Sequence, residues 1–179
     1  MKIIWEMLVT LGVALVAFFL LQITIQSSIV VGSSMLPNLE HGQRILVSKV
    51  SYKFHEPERG DVVVFVPPTG GTSEYIKRVI ALPGDTIEIK KDTVYVNDKP
   101  LEEPYIASAP HYSFDKIEIP PDNYFVLGDN RNNSNDSHKG WTTPRKNIVG
   151  KAWLSIWPPE DWGVAPNRDL SEQLAASTN

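Results

Sequence analysis

The sequence predicts a mostly β protein: an antiparallel or mixed β-sheet core with a smaller β lobe, preceded by one N-terminal transmembrane helix. Three observations lead there. A single apolar run of membrane length stands at the N-terminus. After residue 40 the apolar residues fall into short runs and period-two alternations. Beyond residue 30 no long amphipathic helical pattern appears, while 14 prolines and 11 glycines supply the turns that short strands need.

The helix comes first. No charged residue occurs between Met7 and Leu39. Residues 7–25 would form a helix about 28 Å long, close to the hydrocarbon thickness of a bilayer. Lys2 and the free amino terminus precede it, so the positive-inside rule places a short tail, residues 1–6, in the cytoplasm and the bulk of the chain outside. A cleaved signal peptide is the competing reading, disfavoured by the length of the run and by the lack of a small-x-small site just beyond it. A core helix of a soluble domain would not be apolar on every face.

The strands follow in order within a β-rich domain over 26–165. Arg44–Val50 and Asp61–Val66 are the first two, the second stopped by Pro67-Pro68. Tyr75–Ala81 ends in the turn Leu82-Pro83-Gly84-Asp85. Thr86–Lys90 and Thr93–Val96 read as a hairpin turning at Lys91-Asp92, and residues 86–119 as the smaller lobe. Residues 101–110 form an irregular connector. Asn123–Leu127 and Ile148–Trp157 complete the set, with Pro158-Pro159 as the stop. Residues 166–179 form a polar tail that is expected to fray.

Composition narrows the function classes. Without the apolar run, the 179 residues leave one domain of ordinary size. The net charge of −4 gives no basic footprint, which argues against nucleic acid as a partner. The absence of cysteine excludes disulfides and a thiolate metal site. No metal or cofactor is implied.

Two residues carry candidate chemistry. Ser34 lies in Gly32-Ser33-Ser34-Met35-Leu36-Pro37, a few residues beyond the apolar run. A serine needs a base to become a nucleophile. His41, His55, His111 and His138 lack an obvious triad context, although Asp136 is near His138. Lys77 is the better candidate, because an amine desolvated in an apolar strand loses basicity toward neutrality. On period-two spacing it shares a face with Tyr75 and Val79, and Arg78 takes the opposite face, so one of these cations can be inside and the other outside. The loop Gly128–His138 is dense in short polar side chains. It can lock its own backbone and place a hydroxyl against an active-site amine; it lacks the spacing of a calcium loop.

Four blocks in order resemble the type I signal peptidases, membrane-bound Ser/Lys endopeptidases of peptidase family S26. They are Ser34-Met35-Leu36-Pro37-x-Leu39, Arg59–Phe65, Tyr75-Ile76-Lys77-Arg78-Val79-x-x-Leu82-Pro83-Gly84-Asp85, and Gly128-Asp129-Asn130-Arg131-x-Asn133-Ser134-x-Asp136-Ser137. The resemblance implies a mostly β catalytic core with a smaller lobe, and a Ser34 nucleophile with Lys77 as general base. It implies that the Ser34 N–H contributes to an oxyanion hole and that Ser134 orients the lysine. Asp129, Asn130, Arg131 and Asp136 would support the site, and Met35 and Ile76 would line pockets for small side chains. The implied partners are preprotein signal peptides, cleaved after Ala-x-Ala-like sites, and the lipid bilayer; cell, thylakoid and inner mitochondrial membranes all fit. Two departures stand out. Gly32 occupies a position where some members have an oxyanion serine, and His138 stands where many have an arginine. A self-cleaving Ser/Lys protein of the repressor type and a non-catalytic membrane-tethered β module are the rival readings.

Overall fold

A computed structural model describes residues 2–175. Met1 of the expected cytoplasmic tail and residues 176–179 of the expected C-terminal tail lie outside the described residues.

Helix α1 spans Lys2–Thr24, takes in most of the expected tail, and is about 34 Å long at 1.5 Å per residue. Nearly all of its described side chains are exposed, and it is long and apolar enough to cross a membrane. The chain passes from Thr24 directly into β1, Ile25–Ile29. The sequence reading placed Ile25 in the helix and drew no strand here. In the fold β1 is an edge strand paired antiparallel with β2, Arg44–Ser48. A one-turn helix α2, Ser51–Phe54, follows β2.

The central strands are β3, Val62–Phe65, and β4, Tyr75–Ala81, both almost fully buried. The small sheet comprises β5, Thr86–Lys90; β6, Thr93–Val96; β7, Lys99–Pro100; and β8, Phe114–Glu118. The chain returns to the main sheet with β9, Asn123–Leu127, β10, Thr143–Pro144, β11, Ile148–Trp157, and β12, Gly163–Val164, before the last helix α3, Ser171–Ala175. The main sheet runs β1-β2-β11-β3-β4-β9-β10 with β12 on β11; the small sheet runs β7-β6-β5-β8. All pairings are antiparallel.

The hairpin β5–β6 turns at Lys91-Asp92, both with positive φ (47° and 60°). That conformation gives the tight turn whose twist matches its strands. Asn97-Asp98 repeats it between β6 and β7. The two sheets share apolar packing: Ile87, Ile89, Val94 and Val96 of the lobe meet Ile80, Phe125 and Leu127 of the main sheet.

Two expectations fail for one reason. Of the tail expected to fray, residues 166–174 are held against the domain. Leu170 is buried in the shared cluster, Asn167 Oδ1 accepts the Val62 N–H at 2.7 Å, and the Arg168 N–H donates to Gly60 O at 3.1 Å. The apolar residues Ala165 and Leu170 anchor this otherwise polar stretch across the sheet. That covering also changes Arg78. Instead of pointing outside, it is fully buried, and Lys77 on the other face is only 4% exposed.

Candidate active site

Sequence-distant residues converge at the N-terminal end of β4. Lys77 sits opposite Val63 on β3, between β3 and β9. Its Nζ lies 2.7 Å from Ser34 Oγ and donates to Ile76 O at 2.8 Å. Burial pushes the amine down to about 8, against a partial upward pull from Asp136 and Asp129. A lysine of that basicity is substantially neutral just above neutral pH, and its lone pair can then take the serine proton.

Ser34 is held through its backbone. The turn Ser33–Leu36 closes with the Leu36 N–H on Ser33 O at 3.2 Å, and Leu36-Pro37 is cis. The Asn130 N–H donates to Ser34 O at 3.0 Å, Asn130 Nδ2 to Ser33 O at 3.1 Å, and Asn133 Nδ2 to Ser33 Oγ at 3.0 Å. The loop after β9 therefore clamps the serine strap, a different task from the lysine scaffold the sequence suggested. Ser134 Oγ is buried without a hydrogen-bond partner, so the expected bond from Ser134 to the lysine is not formed in this conformation.

The loop holds its own shape through Asp136 and Arg131. Asp136 Oδ2 accepts the Gly128 N–H at 2.9 Å, and Oδ1 lies 2.6 Å from His138 Nδ1. The His138 ring stacks on Tyr112 with centroids 4.2 Å apart. Arg131 donates to Gly128 O and forms a buried fork with Glu103 at 2.5 and 2.6 Å. Gly128 is crowded: a Cβ there would collide with Ser34 O and Ser134 Oγ. Gly128→Ala should therefore lower kcat roughly 100-fold by displacing Ser34 from Lys77, measured on a peptide substrate and normalised to the folded fraction.

The pair Arg78–Asp129 was not assigned from sequence. Arg78 donates to both Asp129 oxygens, at 2.8 and 2.6 Å, and both side chains are fully buried. Asn38, just past Pro37, adds a third donor to Asp129 at 2.8 Å and ties the strap to Tyr105 O. Adjacency of Arg78 to the candidate base was the available sign, but its acidic partner lies 51 residues away.

A groove of about 810 Å³ opens beside the pair. One wall is residues 26–34, the other residues 73–77, and Gln26 Nε2 bridges them through the Glu74 carboxylate at 2.9 and 3.0 Å. Ile76 lines it with Ile29, Val31, Ile45 and Val64. Met35 does not; it packs in the core below with Leu39 and Val62. Among the described residues no group of acidic or histidine side chains could hold a metal ion.

This arrangement can activate a serine against an extended acyl substrate. Comparison with known proteins agrees with it. Residues 4–157 match the family model for signal peptidase, peptidase S26. A probable signal peptidase I-1 of Synechocystis sp. is 43% identical over 170 residues, covering 90% of this chain and 87% of that protein. A signal peptidase I of Leptolyngbya laminosa is 46% identical over 70% of this chain and 65% of its own. The chloroplastic thylakoidal processing peptidase 1 of Arabidopsis thaliana is 37% identical over 71% of this chain and 40% of its own. With the family match running from α1 to the end of β11, this chain belongs to the signal peptidases of peptidase family S26.

Proposed function

We propose that this chain is a membrane-anchored serine endopeptidase that removes N-terminal signal peptides from exported preproteins after Ala-x-Ala-like sites. The observation that carries the catalytic assignment is the 2.7 Å contact between Ser34 Oγ and a buried Lys77 amine. Neutral Lys77 takes the Ser34 proton as Oγ bonds to the scissile carbonyl carbon. The ammonium then returns a proton to the leaving amine as the C–N bond breaks, giving an acyl-enzyme. Lys77 next deprotonates the water that hydrolyses the ester, and Ser34 recovers its proton. The Ser34 amide N–H donates to no group among the described residues and is free to meet the developing oxyanion.

The groove supports a substrate held as an extended strand. β1 ends the main sheet and lines the groove, so its outer edge offers unpaired backbone groups. The direct passage of α1 into β1 supports a groove held close to the bilayer surface, where a signal peptide would leave the lipid. The aliphatic part of the lining, Ile29, Val31, Ile45, Val64 and Ile76, suits uncharged side chains. With Lys2 at the N-terminal end of α1, we place the N-terminus in the cytoplasm and the sheets on the far side of the membrane.

The acid limb of activity follows from the lysine. The base works when neutral, so kcat/KM should fall about tenfold per pH unit below the Lys77 value of about 8. Cleavage of a detergent-solubilised preprotein, with Edman sequencing of the product, tests the function itself. A new N-terminus directly after a small-x-small site, lost in Ser34→Ala, is expected. Equal cleavage by Ser34→Ala would sink the assignment.

A further inference from the structure

Gly32 has no side chain to hold it, yet the chain must still set the path into Ser34. Gly32 has φ of +92°, and a Cβ there would meet no neighbour, so no packing braces it. Residues on either side are held by hydrogen bonds. Val30 exchanges bonds with the 40–43 turn, its N–H to Gln43 O at 2.8 Å and its carbonyl from the Gly42 N–H at 2.9 Å. Ser33 and Ser34 are clamped by Asn130 and Asn133. Between these anchors the Gly32 N–H donates to His41 Nδ1 at 3.0 Å. The acceptor at the loosest point of the strap is thus a ring nitrogen.

That choice has a chemical consequence. A carbonyl would hold the amide at any pH. An imidazole Nδ1 accepts only while unprotonated, which fixes the proton of the neutral ring on Nε2; the imidazolium has two donors and no acceptor. We infer that His41 is a positioning residue for the reaction at Ser34: its neutral ring fixes the Gly32 turn, and protonation releases that turn and misplaces the serine. This rests on the Ser34/Lys77 reading. Glu40 and Arg44 flank His41 along the chain, Asp161 meets the turn through Gln43 Nε2 at 2.7 Å, and residues 30–34 facing it carry no charge. His41 itself forms no ion pair among the described residues.

The test is kcat/KM of the full-length protein in detergent micelles from pH 5 to 9, on a peptide bearing an Ala-x-Ala site. Lys77 alone gives tenfold loss per unit. With His41 the acid end of the limb steepens to about a hundredfold per unit, because two groups must each be deprotonated. His41→Asn offers Oδ1 as an acceptor at every pH and should restore the tenfold slope while keeping most of the activity at pH 8. His41→Phe, with no acceptor, should also show the single slope but with kcat about tenfold lower at pH 8 and KM little changed. A wild-type slope that stays tenfold, a steep limb that survives in His41→Asn, or one that vanishes instead in His138→Gln would overturn the inference. Failure of the underlying reading is separate: Ser34→Ala would then cleave as fast as wild type.

Discussion

Lys77→Met should abolish peptide cleavage and at the same time make the protein more stable. The first effect follows from removing the base: without a proton acceptor 2.7 Å from Ser34 Oγ, activity should drop by about 10⁴-fold or more. The second follows from burial. An amine held at about 8 instead of 10.5 costs the fold roughly 3 kcal/mol at pH 7, at about 1.4 kcal/mol per pH unit. Below pH 8 both folded and unfolded chains are protonated and the penalty is complete. Between the two values the unfolded chain binds more protons, so stability rises with pH, and the penalty is gone above the unfolded value. A methionine of similar shape carries no such penalty, though it forfeits the bonds to Ser34 and Ile76 O. The expected net gain is about 1–3 kcal/mol at pH 7, shrinking as pH approaches that of an ordinary lysine. Thermal melts of both proteins at pH 7 and pH 10 check this. A variant that is active, or less stable at pH 7, contradicts the account of Lys77.

Asp129→Ala should be the most destabilising single change near the site. It strands the Arg78 guanidinium, which is fully buried between Asp129, Gly60 O and Pro166 O. Removing one member of a buried, hydrogen-bonded ion pair costs about 3–5 kcal/mol. That is a large share of the roughly 5–15 kcal/mol that holds an ordinary domain together. Asn38 loses its acceptor as well, which loosens the strap just after Pro37. The double variant Arg78→Met/Asp129→Leu removes both charges and should recover most of the stability but not the activity. Urea midpoints for the three proteins decide it. If Asp129→Ala shifts the midpoint no more than a surface substitution does, the pair is not what joins the strap, β4 and the C-terminal segment.

The parts of this fold that were legible in the sequence are those written in local patterns. The apolar run, the alternation of Thr86–Val96 and the Pro158-Pro159 stop report directly on α1, the β5–β6 hairpin and the end of β11. Strand β1 was not legible, because Gln26-Ser27-Ser28 has neither alternation nor β-branched residues; its pairing with β2 decides its state. The burial of Arg78 was hidden for the same reason. Alternation says that neighbours point to opposite faces, but only the docking of residues 165–170 makes both faces of β4 interior. At the site, the residues made Ser34 and Lys77 candidates, the four-block resemblance selected them, and the structure brings them together. Ser134 and Met35 came from the resemblance. One makes no hydrogen bond here and the other supports the core beneath the groove. His41 carried no signal, since its partner is a backbone amide nine residues away.

The central claim is that Ser34 is a nucleophile whose base is Lys77. Mass spectrometry after incubation with a β-lactam-type acylating inhibitor tests it most directly. The account predicts one inhibitor mass on the peptide containing Ser34, none in Ser34→Ala, and an acylation rate that rises through pH 8 in the wild type and is nearly lost in Lys77→Met. Label at another residue, or label at Ser34 that forms equally fast without Lys77, would contradict it.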